Sequence, residues 1–232
     1  MFKKAAGNKI YLRGEVALVV IAILNSFSVY LMLHSRGGIS SISSVPYVFS
    51  EALPQISLGA WTYIFQTSLI ICLMIMRRKF VLNYVFAFFV GGAFSVMMDV
   101  HALWIDPLPQ SLPYCILYFA ISFVCLAFGI ALSNHCTLPI IPTDLFPREL
   151  ALILNRPYKQ VKTLFDLSCL TITVVLCISC LGEIRGIGIG TVLCAFTMGK
   201  TIAIMGTWLT HHFVFVSFLS PAPQIEEAKE KL

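Results

Sequence analysis

The chain is poor in charge. Only 12% of its 232 residues are Asp, Glu, Lys or Arg, against 58% hydrophobic residues, and the mean hydropathy is +0.88. Soluble globular domains carry about a quarter charged residues, so a soluble class is excluded. Strict polar–apolar alternation is also missing, which argues against membrane β-strands, and no polar stretch is long enough for a separate soluble domain. The five histidines give no metal-ligand spacing: His34, His101 and His135 are isolated, and the neighbours His211 and His212 cannot share one helical face. The run Gly186-Ile187-Gly188-Ile189-Gly190-Thr191 lacks the spacing and strand context of a dinucleotide loop, leaving close packing or a dipole-lined anion mouth. No nucleophile–base pair or paired carboxylates fall at one depth, so no enzyme, metal or cofactor is expected.

Cysteine is present without a framework. Nearly all of Cys72, Cys115, Cys125, Cys136, Cys169, Cys177, Cys180 and Cys194 lie in apolar runs, where Cys acts as a small, soft packing residue. Cys177-x-x-Cys180 would be a redox pair in a soluble βαβ protein, but on a transmembrane helix without further ligands it reads as packing.

What the chain does have is six apolar runs of bilayer length, near residues 15–34, 59–76, 80–100, 112–133, 160–181 and 187–209. In lipid every backbone N–H and C=O must be paired internally, so these are helices. The expectation is one all-α polytopic membrane domain over 1–232, in contact with the lipid bilayer. The first run follows Lys3, Lys4, Lys9 and Arg13, but it is longer than a signal-peptide core and leads into His34-Ser35-Arg36 instead of a cleavage site, so it is retained. With both termini cytoplasmic, thirteen basic residues fall inside and only Arg36 and Arg185 outside, with Lys200 within the last run. The net charge of +5 therefore follows topology and implies no nucleic-acid partner.

The order of elements repeats. After the first span comes Gly37-Gly38-Ile39-Ser40-Ser41-Ile42-Ser43-Ser44-Val45-Pro46-Tyr47 and a short stretch to Leu53, then two spans. After the fourth comes Leu138-Pro139-Ile140-Ile141-Pro142-Thr143-Asp144-Leu145-Phe146 and a short stretch to Leu154, then two more. A shift of 100 aligns Ser43-Ser44 with Thr143-Asp144, Phe65 with Phe165, Gln66 with Asp166 and Ser68 with Ser168. With three spans in each half, the repeats (about 15–101 and 112–209) are related by inversion, an arrangement common in secondary transporters and channels. Residues 210–232 are expected to form an interfacial segment and a charged cytoplasmic tail.

Each short segment begins with hydroxyl or carboxylate residues. Ser43 or Ser44, with Pro46, and Thr143 or Asp144, with Pro147 and Glu149, suit helix N-termini. Two placements stay open: short helices dipping from opposite faces so that Ser41, Ser43, Ser44 and Thr143 meet a solute and Asp144 a cation or proton, or amphipathic connectors lying on the surface. Charged groups in apolar runs need partners. Lys162 and Asp166 are four apart on one helix, so an interfacial pair and a site role both fit, with Asp166 matched in the repeat by Gln66. Lys200 lies deeper, free to snorkel or to bind. The candidate solute-binding set is Ser43, Ser44, Gln66, Thr143, Asp144, Lys162, Asp166 and Lys200. Glu51 can face water or a pore, and Asp99 and His101 read as interfacial.

The residues also carry a resemblance. Pro142-Thr143-Asp144, Lys159-Gln160-Val161-Lys162, Asp166 and the glycine run leading to Gly199, with Ser43-Ser44-Val45-Pro46-Tyr47 and Gly59, resemble the YczE/YitT group of bacterial integral membrane proteins over about 15–210. In that group a Gly-Pro often closes the helix after the glycines, whereas Lys200 follows Gly199 here. The resemblance implies a multi-pass protein of a bacterial cytoplasmic membrane without an established activity. Two function classes follow: a secondary transporter or channel for a small solute or ion, and a non-transporting scaffold or regulator of a partner protein.

Overall fold

The computed structural model describes residues 10–78, 81–135 and 141–216. It is helical apart from one small ladder. The elements are β1 (Ile10–Arg13), α1 (Gly14–His34), α2 (Ser41–Ala52), α3 (Leu58–Arg77), α4 (Leu82–Ile105), α5 (Leu112–His135), α6 (Pro142–Leu154), α7 (Tyr158–Leu176), a π-helical turn at Cys177–Leu181, α8 (Ile189–His212) and β2 (Phe213–Val216). Lys3, Lys4, Lys9, Lys79, Cys136, Leu138-Pro139-Ile140 and the tail with Lys229 and Lys231 lie outside the described residues.

Five helices are long and apolar enough to cross a membrane: α1, α3, α4, α5 and α7 with its π-turn. Each is about 30 Å or more at 1.5 Å per residue. The sixth expected run is present as the 24-residue helix α8. At 12 and 13 residues α2 and α6 reach only about 20 Å, too short to cross.

Both short helices begin earlier than their polar residues imply. Ser40 is the N-cap of α2, so Ser43 and Ser44 lie in the first turn and Pro46 inside the helix. Ser40 Oγ donates to Ser43 Oγ at 2.9 Å instead of capping a backbone N–H. Ile141 caps α6, with Pro142 in the first turn, where its missing N–H costs nothing. Thr143 and Asp144 thus follow the cap, and Asp144 sits where the helix dipole favours negative charge.

Packing follows one pattern in both halves. α1 packs on α5, α1 on α4 as α5 on α8, α2 on α3 as α6 on α7, and α2 on α7 as α6 on α3. The short helices and α3 and α7 therefore close a ring in which each short helix touches both long ones. Symmetry breaks around α4, which packs closely on α3 and also on α6, whereas α8 packs closely on neither α7 nor α2. The α3–α4 approach depends on Gly59, where a Cβ would strike the Ser95 carbonyl. The residue 100 positions later is the exposed Lys159.

The glycine run serves loop contact more than helix contact. Gly190 N–H donates to Gly37 O (2.7 Å) and Ile39 N–H to Gly186 O (3.0 Å), joining the α1–α2 loop to the segment before α8. Gly38 (φ +109°) and Gly186 (φ +74°) occupy backbone regions that other residues rarely adopt. Beyond α8 the chain forms β2, paired in parallel with β1, which puts the start of α1 and the end of α8 on one face.

Asp99 fastens α3 to α4. Its carboxylate accepts from Ser57 Oγ (2.7 Å) and Gly59 N–H (2.9 Å), while Ser57 caps α3 by accepting from Ala60 N–H. Asp99→Ala leaves both donors unmet and should destabilise the protein by about 1–3 kcal/mol. Ser57→Ala should cost about 1 kcal/mol. Thermal unfolding in detergent micelles measures both.

Candidate functional site

The candidate site forms where α6 begins. Asp144 is buried, though it lies in a first turn. Burial pushes its carboxyl up to about 6, with the Lys162 ammonium opposing and the Asp166 carboxylate adding. Lys162 and Asp166, one turn apart on α7, form an ion pair at 2.8 Å. Three ionisable groups from two helices thus lie within electrostatic reach of one another.

Gln66 approaches from α3. It is 1% exposed, and among the described residues neither its Oε1 nor its Nε2 has a hydrogen-bond partner. Its Oε1 and the ring of Pro142 both lie against Gly91 of α4, where a Cβ would strike Gln66 Oε1 and sit 3.1 Å from Pro142 Cγ. The amide therefore lies at the first turn of α6. A buried amide with four unmet hydrogen-bonding positions costs several kcal/mol unless something fills them.

Ser43 and Ser44 lie elsewhere in the ring. Ser44 Oγ bonds Thr173 Oγ1 of α7 (2.7 Å) and donates to Ser41 O, and Ser43 bonds Ser40. The repeat counterparts Phe65 and Phe165 pack both with Ile42, Val45 and Cys169 on the α2 side and with the main core containing Leu145 and Phe146 of α6. An apolar layer thus separates the serines from Asp144. The structure brings together Asp144, Lys162 and Asp166, with Gln66 beside Pro142 at the same helix start; Ser43 and Ser44 form a second polar level. Lys200 is exposed on α8 and joins neither.

Two ion pairs went unread in the sequence. Glu149 of α6 pairs with Arg77 at the end of α3 (2.6 Å) and accepts from the buried Tyr84 hydroxyl of α4 (2.6 Å). Glu51 of α2 pairs with Arg185 beyond α7 (2.7 Å). Each joins a short helix to the far end of a long helix from the other half. The available signal was a Glu within each short helix and an Arg after each following span. Among the described residues no three His, Cys, Asp or Glu side chains gather to hold a metal ion, and Cys177 and Cys180 are free thiols.

Fold and site together define a helical protein with several helices able to cross a membrane and buried polar groups at the start of a helix too short to cross. The chain belongs to a family of unknown function, DUF6198, which it matches over residues 12–207. Nothing in that match links it to the YczE/YitT group in particular. No curated protein and no solved structure matches the chain.

Glu149→Ala should cost about 2–4 kcal/mol, because it strands the Tyr84 hydroxyl and the Arg77 guanidinium. Glu51→Ala, in a pair with exposed Arg185, should cost much less than Glu149→Ala, because solvent screens the pair. Thermal melts of the two variants, compared in one detergent, measure the difference. For Asp144 the folded carboxyl titrates near 6 against an ordinary 3.8. The folded state therefore holds the proton longer than the unfolded state, and stability falls as pH rises through that window, then levels off. Melts from pH 4 to 7 should show this decline, and Asp144→Asn should flatten it.

Proposed function

We propose that this protein is a secondary transporter or channel for a small solute or ion, built from six membrane-crossing helices in two inverted halves, with its site where α6 begins. The single observation that carries this reading is Gln66: a buried amide with no partner among the described residues, set against Pro142 at the first turn of the non-spanning helix that also carries buried Asp144. Helix interruptions facing ionisable groups are how many transporters build their sites, and an ionisable group buried in a membrane protein is by default a functional group. Asp144, with Lys162 and Asp166 beside it, carries the proton or cation. Gln66 and Thr143 supply hydrogen bonds to the solute. The setting is a bacterial cytoplasmic membrane with both termini inside, and kinship with the YczE/YitT group is part of the same reading.

Proteoliposomes on a solid-supported membrane provide the test. Concentration jumps of alkali cations, protons, amino acids, organic acids and nucleobases should give a transient current with one class, reduced at least about tenfold in Asp144→Asn and in Gln66→Leu. No current with any of them, from protein shown to be folded, would instead favour the scaffold reading.

A further inference from the structure

A second polar site lies at the other end of the bundle. The end of α1, the loop from α4 to α5 and one side of α2 line an open pocket of about 310 Å³. That volume lies within the range of small-molecule sites. Its lining holds both signs of charge: Arg36 after α1, Glu51 of α2 and Asp106 after α4.

The other polar groups are already engaged, which fixes what remains on offer. Tyr30 donates its hydroxyl to Asp106 Oδ1 (2.8 Å), leaving Oδ2 open. His34 faces the Leu108 carbonyl through Nε2 (3.2 Å), so Nε2 carries the proton and Nδ1 accepts from Gln110 Nε2 (3.2 Å). Glu51 is held by Arg185. Arg36 is exposed and in no ion pair among the described residues. It also holds the left-handed backbone (φ +56°) that ends α1, a position at which Gly is favoured. The chain thus places a guanidinium at a strained position where glycine would fit better, and two glycines follow it directly.

We propose that this pocket binds a small zwitterion of the α-amino-acid class, its carboxylate on Arg36 and its ammonium on Asp106, with the paired Glu51 beside it adding negative potential. Arg36 presents a planar fork suited to a carboxylate. A simple anion would meet two carboxylates here, and a simple cation would meet Arg36. A ligand carrying both charges satisfies both sides.

Isothermal titration of the detergent-purified full chain with L-leucine, L-serine and L-glutamine tests this. At least one should bind, and its N-acetyl and carboxamide derivatives, each lacking one charge, should bind at least about tenfold more weakly. Arg36→Gly should melt no lower than the parent, because it relieves the left-handed strain, yet lose at least about tenfold in affinity. Asp106→Asn should also weaken binding. Absence of binding by all three amino acids, equal binding of the singly charged derivatives, or unchanged affinity in Arg36→Gly overturns the proposal. The site at α6 lies at the far end of α5, about 34 Å away by helix rise, so Asp144→Asn should leave this binding intact. Binding here without transport currents sinks only the transport reading, and currents without binding here sink only this one.

Discussion

The fold depends on a constraint that lipid imposes: no backbone N–H or C=O can be left unpaired within the hydrocarbon. A helix that crosses completely puts its unpaired ends in the headgroup region. Helices α2 and α6 cannot, because about 20 Å of helix does not cover the hydrocarbon thickness. An end of such a helix that enters the hydrocarbon has to be satisfied by protein, and each short helix does lie against α3 and α7 together. The first turns meet this need differently. Pro142 removes a donor from α6, while the serines of α2 bond one another, a backbone carbonyl and Thr173.

Charge follows the same logic. Glu51 and Glu149 are each matched by an arginine from the opposite half, and Lys162 by Asp166 on its own helix. These pairs lie at the two ends of the ring, where water or headgroups reduce their desolvation cost. Asp144 is different, since it is buried where burial outweighs its neighbours. A carboxyl that titrates near 6 changes its charge within the range where an ion-paired carboxylate stays ionised, which is the property the proposed role uses.

Much of the fold was legible in the sequence because bilayer thickness turns hydrophobic length directly into helix length. The span boundaries and both short helices could be read from apolar runs and from Pro and Ser/Thr positions. The caps could not: Ser40 and Ile141 hold the N-cap positions, for α6 because Pro142 starts the first turn, and for α2 without any side-chain cap bond or first-turn proline to mark it. At the site, the 100-residue shift paired Gln66 with Asp166, and both lie near the start of α6. The same symmetry misled for Ser43 and Ser44, which Phe65 and Phe165 separate from Asp144. Lys200 and the ion pairs of Glu51 and Glu149 depend on which way helices rotate and which loops meet, and a single sequence carries no such information.

The broken symmetry bears on how such a ring could move. Gly59 lets α4 lie close on α3, and Asp99 fastens the pair, so these two helices form one body. α7 has no glycine, and α8 stays on α5 without packing closely on α7. α7 is thus held mainly by the two short helices, through Ser44–Thr173 on one side and the contacts around Asp144 on the other. In the proposed transporter, access between the two polar levels runs past Phe65 and Phe165, which pack on the short helices. The helix with the fewest close long neighbours is the one that can shift to open it. Movement of α7 alters the distance of Lys162 and Asp166 from Asp144, so the charge on Asp144 and the position of α7 are coupled through the same few ångströms of structure.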